Sequence, residues 1–304
     1  MDRLALFKTF IRVVEAGSFT RVAAELNTTQ PTISRQVAML EEHLGARLFT
    51  RTTRALTLTD DGQRFYDQAL HVLDAVSDAE NAVGARRSRP SGVLRMAMPG
   101  VFGRLHIFPR LRSFLARYPD ISLDLRMSDG YIDLVEEGVD LAIRSGVVAD
   151  PGLITRTIGT TRRVAVAAPS YVKARGKPVH PSELTAHDCV VYTRTGADAH
   201  WQFESPDGTI AVDVRGPIRC NNSEGIREAV LGGFGIGLVP VWHFTNEIET
   251  RRVVVLLDAF EPKRVPINAV YPSRRLVPQR VRVMIDFLAQ EFLREPRLTA
   301  VRMG

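Results

Sequence analysis

Apolar residues recur at helical spacing along the start of the chain and predict two successive helices. The first stripe consists of Leu4, Phe7, Phe10, Ile11 and Val14. Gly17 can end that helix in the left-handed conformation, and Ser18 can cap a second, shorter helix. The apolar positions of the second helix are Val22, Ala23 and Leu26.

A third helix is predicted after Asn27, and its two faces differ in polarity. Thr28 and Thr29 offer side-chain oxygens for its free amides, Pro31 falls in its first turn, and Gly45 can end it. The buried face is predicted to carry Ile33, Val37, Leu40 and Leu44. The opposite face carries Gln30, Thr32, Ser34, Arg35 and Gln36. Such groups suit phosphates and base edges in a major groove, although an ordinary solvated face has the same composition.

The segment after the third helix predicts a basic β-hairpin. Leu56 and Leu58 alternate with Thr57 and Thr59, which is typical of a short strand. The preceding residues contain three cations, Arg47, Arg51 and Arg54. A basic hairpin beside a polar helix favours a winged helix-turn-helix over an ordinary surface helix.

A longer helix is predicted from Thr59 and Asp60, which can cap it. Its apolar residues step by fours and threes, as in a heptad repeat: Phe65, Ala69, Val72, Val76, Ala79 and Val83. Roughly 25 residues at about 1.5 Å each give a rod of about 37 Å. A core helix of a single chain can show this pattern, but the segment joins two domains, so we expect its seam to meet a second copy. Residues 84–92 are interpreted as the linker.

The remainder of the chain alternates short strands with helices, which predicts an α/β domain. A short helix through Leu134 and Val135 and a final helix from Pro278 to Arg294 are among its predicted elements. The chain is expected to leave a first sheet near Arg163 and to return to it later. The predicted division is 1–59, 60–91 and 92–304, the last with lobe I at 92–163 and 267–304 and lobe II at 164–266. Two lobes joined by two crossovers would enclose a cleft.

Composition and charge add little to this picture. The 304 residues are 45% hydrophobic and 24% charged, and the net charge of +6 favours an anionic partner without requiring one. Cys189 and Cys220 form no CxxC pattern, so both are expected to be buried thiols. The N-terminus lacks the apolar core of a signal peptide, and no run is long enough to span a membrane, so a cytoplasmic location is expected.

The chain resembles LysR-type transcriptional regulators across essentially its whole length. The most specific part is residues 10–66, FIRVVEAGSFTRVAAELNTTQPTISRQVAMLEEHLGARLFTRTTRALTLTDDGQRFY; the later VDLAIRSG, GGFGIGLVP and AVYP match more loosely. The resemblance implies a winged helix-turn-helix, a long linker helix and a two-lobed α/β effector domain similar to periplasmic binding proteins. It also implies a tetramer built from two linker-helix dimers, although the sequence itself does not distinguish four chains from two.

The resemblance also implies which residues contact promoter DNA. Gln30, Pro31, Ser34 and Arg35 would face the major groove, and Arg51 and Arg54 would contact the backbone or minor groove. The expected set is completed by Thr28, Thr29 and Thr32, of which Thr29 can instead serve as a helix cap.

An effector is expected where loops and helix starts meet beyond the carboxyl ends of the strands. The residues expected to bind it are Gly100, Val101, Phe102, Ser128, Arg144, Ser145, Arg194, Trp201 and Asn222. Free amides at the helix start near Gly100 would suit a carboxylate, and the aromatic rings would suit an apolar group. The expected effector is therefore a small aromatic or carboxylated metabolite. The aromatic and arginine residues also have a purely structural interpretation. Phe102 and Trp201 can be core residues, and any one arginine can be solvated or paired at the surface.

No catalytic or cofactor-binding pattern is found in the sequence. The glycines of Gly232–Gly237 follow a helix and precede a strand, which is the reverse of a dinucleotide-binding loop, and the seven histidines lack metal-ligand spacing. Neither an enzyme, a cofactor nor a metal is therefore expected. A rival interpretation is a small-molecule-binding or transferase-type two-lobed protein whose N-terminal region serves only for assembly.

Overall fold

A computed structural model describes residues 2–51, 56–83, 89–146, 148, 150–193, 199–260, 262, 264–272 and 277–299. The chain divides into two compact units, Met1–Arg89 and Pro90–Gly304. None of the helices within these described ranges is both long enough and apolar enough to cross a membrane.

The first unit packs four helices and one hairpin around an aromatic core. Its helices are α1 (Arg3–Ala16), α2 (Phe19–Glu25), α3 (Gln30–Leu44) and α4 (Asp60–Val83), and its strands are β1 (Phe49–Arg51) and β2 (Leu56–Leu58). Phe10 is fully buried, with its ring centroid 5.4 Å from that of Phe49 and 5.3 Å from that of Phe65. The ring of Phe7 meets Phe65 edge-on at 5.1 Å. These contacts join α1, the hairpin and α4 in one core.

The predicted helix boundaries of this unit are confirmed by their capping bonds. Ser18 accepts a hydrogen bond from the Arg21 amide and Thr59 accepts one from the Gly62 amide. Gly17 and Gly45 end α1 and α3 with φ of 64° and 66°, a region that favours glycine.

Two predicted apolar positions are wrong in this unit. Leu44 is 38% exposed, because it lies in the last turn of α3, just before the chain turns away at Gly45. Leu26 lies beyond the end of α2, at its C-cap, and is half exposed. The last buried residue of α3 is instead Glu41, which follows the buried Leu40.

The predicted seam of α4 is divided between two environments. Phe65 and Ala69 pack into the core of the first unit, whereas Val72 is 41% exposed and Ala79 is exposed. Val76 is half buried. The expectation of one uniform intermolecular seam is therefore corrected, because α1 already covers its N-terminal part.

The second unit contains two five-stranded sheets and a separate hairpin. Its strands are β3 (Gly92–Met98), β4 (Ile121–Met127), β5 (Leu141–Ser145), β6 (Leu153–Thr161), β7 (Arg163–Ala167), β8 (Cys189–Tyr192), β9 (His200–Ser205), β10 (Gly208–Asp213), β11 (Ile218–Cys220), β12 (Ile236–Pro240), β13 (Val254–Leu256) and β14 (Val265–Pro272). Lobe I holds the sheet β4-β3-β5-β14-β6, and lobe II holds the sheet β11-β8-β12-β7-β13. Strands β9 and β10 form the hairpin. The chain crosses between lobes at Arg162 and again between β13 and β14.

Helices and short turns cover these sheets. The helices are α5 (Gly100–Phe102), α6 (Phe108–Arg117), α7 (Pro169–Arg175), α8 (Ser223–Leu231), α9 (Thr245–Glu249) and α10 (Gln279–Leu293). A π-helical turn, Gly103–Ile107, joins α5 to α6, and 3-10 turns occupy Pro181–Ala186 and Val241–Phe244. The wider π turn precedes Pro109, whose ring and missing amide are incompatible with a regular α-helical bond to residue 105.

One prediction about lobe I is wrong, and one of its strands was missed. Residues 134–138 form turns rather than a helix, and Val135 is exposed, so no amphipathic face exists there to hold a helix against the sheet. Strand β6 was not predicted, because its sequence LITRTIGTT lacks a regular alternation. Among the described strands it pairs with β14 alone, at the edge of the sheet.

Candidate DNA-binding surface and effector cleft

The N-terminal half of α3 presents polar groups to solvent while three apolar residues anchor it. Ile33, Val37 and Leu40 are each 1% exposed, which fixes the rotation of the helix about its axis. The side chains of Thr28, Gln30, Pro31, Thr32 and Arg35 are exposed and that of Ser34 is half buried. Because the three anchoring residues are held in the core, the polar residues on the opposite side of α3 face solvent.

Two side chains of α3 have partners of their own. The Thr29 hydroxyl accepts a hydrogen bond from the Thr32 amide at 3.4 Å, so Thr29 is the N-cap of α3. Gln36, expected on the outward face, is half buried and accepts a hydrogen bond from the Thr9 hydroxyl at 2.9 Å. Gln36 therefore helps to hold α3 on α1, which corrects its expected place on the exposed face.

The hairpin, which we call the wing, is fixed to α3 by a buried carboxylate. One oxygen of Glu41 accepts hydrogen bonds from the amides of Leu48 at 2.8 Å and Phe49 at 3.3 Å. Its other oxygen lies 3.5 Å from the guanidinium of Arg47, whose side chain is 82% exposed. Glu41 was missed as a functional residue because glutamate is usually solvated. Its position four residues after Val37, on the apolar stripe, was the available signal.

The base of the wing is closed by the start of α4. The Thr59 hydroxyl donates to the Arg47 carbonyl at 2.6 Å while also capping α4. Gly62 packs so closely that a Cβ atom there would lie 2.0 Å from the Leu48 carbonyl oxygen. Arg51 pairs with Leu56 in the hairpin, and Arg54 lies outside the described residues. The result is a polar helix and a basic hairpin in a fixed arrangement.

A cleft of about 280 Å³ lies between the two lobes of the second unit. Lobe I contributes Pro99, Ser145 and Gly146, and lobe II contributes Tyr192, Ser223 and an aliphatic wall that includes Ile226 and Leu238. Arg163 and Val265, next to the two crossovers, also line it. Its size and mixed lining are those of a small-molecule site.

The structure brings only some of the expected effector residues to this cleft. Ser145 lines it, but Phe102 is 1% exposed in the core of lobe I and Trp201 is buried in the core of lobe II. Val101 is likewise buried in the core of lobe I. Arg194 lies outside the described residues. Phe102 contacts Trp242 edge-on, and Trp242 lines the cleft instead, together with Tyr192.

Three further expected residues organise loops beside the cleft. Arg144 donates to the carbonyls of Gly130 and Ile132 and lies 5.3 Å from the centre of the Tyr131 ring. The Ser128 hydroxyl accepts a hydrogen bond from the Gly130 amide. Asn222 caps α8 by accepting from the amides of Glu224 at 2.9 Å and Gly225 at 3.1 Å.

A carboxylate of the protein joins the two lobes beside the cleft. One oxygen of the buried Asp129 accepts from the Gly100 amide, at the start of α5, at 3.0 Å. Its other oxygen accepts from both the amide and the hydroxyl of Ser223, at the start of α8. Asp129 therefore occupies the amides that were expected to receive an effector carboxylate.

Buried electrostatics fix the lobe II wall. Arg227 donates to the carboxylate of Glu247; this bond is the largest cause of both the raised pKa of Arg227 and the lowered pKa of Glu247. His243 is 3% exposed, and burial followed by the nearby Arg227 lowers its pKa to about 4, so the imidazole is neutral at pH 7. Burial also raises the pKa of the Cys189 thiol to about 12, which leaves it unreactive. Cys220, expected to be buried, is only half buried.

Within the part of the chain that the structure describes, no cluster of three or more His, Cys, Asp or Glu side chains is arranged to hold a metal ion. The acidic and imidazole groups of the cleft region are instead engaged as described above or buried among aromatic rings.

Comparison with known families matches both units. Residues 4–63 match the bacterial regulatory helix-turn-helix protein model of the lysR family, and residues 87–293 match the LysR substrate binding domain. The regulator CrgA of Neisseria meningitidis serogroup C is 37% identical over 286 residues, covering 93% of this chain and 94% of CrgA. DmlR of Escherichia coli is 34% identical over 287 residues, covering 94% of this chain and 93% of DmlR.

Solved structures show the same relationship. A structure of CrgA from Neisseria meningitidis superposes with a TM-score of 0.61 at 34% identity, covering 94% of this chain and 98% of that one. The full-length structure of the Vibrio cholerae virulence activator AphB gives a TM-score of 0.57 at 29% identity, covering 94% and 98%. The chain therefore belongs to the LysR family of transcriptional regulators, with a helix-turn-helix DNA-binding domain followed by a substrate-binding effector domain.

Proposed function

We propose that this regulator reads promoter DNA with the exposed half of α3 and holds the duplex with its wing. The observation that carries the proposal is the Glu41 anchor, because it fixes a basic hairpin beside a polar helix start. Gln30, Pro31, Ser34 and Arg35 would meet base edges, with Thr28 and Thr32 on adjacent phosphates and Thr29 as the cap. Arg51 and Arg54 would contact the sugar-phosphate backbone.

This division of roles can be tested by comparing two arginines on promoter fragments. The Arg35→Ala variant should lose about 1–3 kcal/mol on the specific site and relax preference at one base pair. The Arg51→Ala variant should weaken binding to all sequences and flatten the salt dependence. Arg112→Ala, an exposed arginine of α6, removes the same charge from the other unit as a control. Gel-shift titration on DNA upstream of its own gene, at several salt concentrations, measures both effects. Equal effects of the two substitutions would refute the assignment.

The second part of the proposal is that a small aromatic or carboxylated metabolite binds in the cleft between the lobes. The aliphatic wall and Trp242 suit an apolar group, and Ser145, Tyr192 and Arg163 suit a polar one. A carboxylate aimed at the starts of α5 and α8 would have to displace Asp129. A thermal-shift screen of the full chain against such metabolites identifies the class. Substituting Tyr192→Phe should weaken a true cleft ligand without lowering the melting temperature of the free protein.

The proposed assembly is a homodimer through the exposed part of α4, with two dimers forming a tetramer on a dyad-symmetric promoter in the cytoplasm. Effector-driven closure of the cleft would change the angle between dimers and the bend of the DNA. No catalytic role is proposed. The rival interpretation, a two-lobed binding protein or transferase with an N-terminal assembly region, is not favoured, because that region itself matches a regulatory helix-turn-helix model.

A further inference from the structure

A second cavity, of about 370 Å³, lies beside the effector cleft between the π-helical turn of lobe I and α9 of lobe II. Four arginines line it, namely Arg104, Arg110, Arg227 and Arg297, and we call it the arginine pocket. Trp242 and His243 line both this pocket and the cleft, so the 3-10 turn that carries them is a shared wall. π-helical turns occur frequently at functional sites.

The four arginines differ in how fully their donors are used. Arg227 is hydrogen-bonded to Glu247, and Arg297 lies 2.7 Å from Glu249. Among the described residues, Arg104 makes no side-chain hydrogen bond and lies 3.5 Å from Glu224. Arg110 donates to the His106 carbonyl in the preceding π-helical turn, while Glu291 and Glu295 lie 3.8 and 3.9 Å away. Arg104 and Arg110 therefore retain donors for a ligand.

The pocket wall also contains buried polar atoms without a partner. The indole nitrogen of Trp242, Nε2 of His106 and both ring nitrogens of His243 make no hydrogen bond to any residue that the structure describes. All three side chains are more than nine-tenths buried. Both imidazoles are neutral at pH 7, since burial first and neighbouring arginines second lower each pKa to about 4. Buried polar groups of native proteins are normally satisfied, so such a cluster calls for a bound partner.

The unpartnered groups define the chemistry of that partner. An indole can only donate, a neutral imidazole offers one N–H and one acceptor, and arginine only donates. Donors therefore predominate in the wall. The lining holds four arginines and two carboxylates, Glu247 and Glu295. Three more glutamates, Glu224, Glu249 and Glu291, pair with these arginines from outside the lining, so the charges nearly cancel and a polyanion is disfavoured. The unused N–H donors, rather than the net charge, therefore favour a ligand with a single negative charge.

We propose that the arginine pocket is a second ligand site that binds a small organic monoanion, such as a carboxylate, through Arg104, Arg110, His106 and Trp242. The proposal goes beyond the cleft effector and holds whichever molecule fills the cleft. Because Trp242 and His243 belong to both cavities, occupancy of one site changes affinity at the other, and the coupling is reciprocal.

Isothermal titration calorimetry of the full chain with acetate, benzoate, inorganic phosphate and the uncharged analogue benzamide tests the site. Benzoate or acetate should bind saturably, phosphate more weakly, and benzamide at least about tenfold more weakly, as expected when a charge-assisted hydrogen bond is lost. Arg110→Met, which keeps the aliphatic stem over Phe292, and Arg104→Met should each weaken carboxylate binding by about tenfold. Arg110→Lys should restore part of the affinity.

Two control variants locate the binding. Arg112→Met removes an exposed arginine of α6, and Tyr192→Phe alters the cleft alone; neither should change the carboxylate affinity of the site that Arg104→Met and Arg110→Met weaken. Absence of saturable binding by every anion overturns the proposal. Binding that responds to Tyr192→Phe but not to Arg104→Met or Arg110→Met also overturns it, because the anion would then be in the cleft. Arg104 is half exposed and makes no hydrogen bond to any described residue, so its substitution separates a binding role from a folding defect.

Discussion

Asp129 shows how a single side chain can replace an expected ligand group. Its carboxylate bridges the Gly100 amide of lobe I and the amide and hydroxyl of Ser223 in lobe II. Each of these donors belongs to a helix start, where an anion is stabilised by free amides. Asp129 therefore holds the two lobes together without an effector.

Replacing Asp129 should loosen that connection. We expect Asp129→Ala to lower the free energy of unfolding by about 2 kcal/mol, because charge-assisted hydrogen bonds are lost and buried donors are left unpaired. Amide hydrogen exchange at Gly100 and Ser223 should become faster, and carboxylates that reach these amides should bind more tightly. Asp124→Ala, an exposed aspartate of β4, is the matched control. Unchanged exchange at both amides would show that Asp129 does not join the lobes.

Two buried histidines should make the stability of the second unit depend on pH. The charged groups that act on the pKa of His106 are Arg110 and Arg297. Those that act on the pKa of His243 are Arg227, Asp129, Arg104 and Glu247. Burial is the largest cause for both and lowers each pKa from 6.5 to about 4. Between these values the unfolded chain binds protons that the folded chain does not, so stability present above pH 6.5 is lost as the pH falls towards 4.

The expected loss approaches about 3 kcal/mol for each histidine by pH 4. Both tryptophans, Trp201 and Trp242, lie in the second unit, so urea unfolding followed by fluorescence reports on that unit. The variant His243→Asn should show a shallower decline between pH 6.5 and 4, whereas Gln290→Asn, at an exposed position of α10, removes no imidazole and should match the parent. Parallel curves for all three proteins would contradict the assignment.

At the scale of elements, the apolar positions of α4 lie in two environments, although their spacing in the sequence is continuous. Phe65 and Ala69 complete the core of the first unit, whereas Val72 and Ala79 are exposed and Val76 is half buried. The heptad pattern predicts apolar spacing, but it cannot say which partner covers each position. A second copy of α4 remains the proposed partner of the later positions.

A charge placed in this part of α4 should dissociate the proposed dimer. The Val76→Asp substitution puts two unpaired carboxylates into the seam at a cost of about 3–5 kcal/mol, so multi-angle light scattering should give a lower mass. Gln68→Asp adds the same charge at an exposed position of α4 and should leave the mass unchanged. An unaltered mass for Val76→Asp would exclude this seam as the interface.

At the scale of the whole molecule, the proposed pair of dimers makes DNA binding depend on helical phase. Two half-sites read from one face of the duplex must be separated by whole turns of about 10–10.5 base pairs. Inserting about 5 base pairs between them should weaken binding of the full chain, and inserting about 10 should restore it. DNase I footprinting at fixed salt measures both changes. Equal affinity for all three spacings would argue against a dimer of dimers.

The sequence by itself determined the local features of this protein. Ser18, Thr29, Gly17 and Gly45 set helix ends because capping depends on neighbouring residues, and the alternation of Leu56 and Leu58 predicted the wing. The resemblance of residues 10–66 indicated the family, which both family models then showed. The sequence pattern was therefore sufficient to predict features, such as helix ends and the wing, that depend on neighbouring residues.

Only the tertiary structure decided which side chains reach a site. Asp129 and Ser223 meet across 94 residues of chain, and Phe102 and Trp201 lie in cores rather than in the cleft. Apolar spacing predicts that an aromatic residue is buried. The packing of distant elements decides whether that residue lies inside a core or lines a cavity. For the same reason Glu41, a glutamate on an apolar stripe, is recognisable as the anchor of the wing only when the amides of Leu48 and Phe49 are in place.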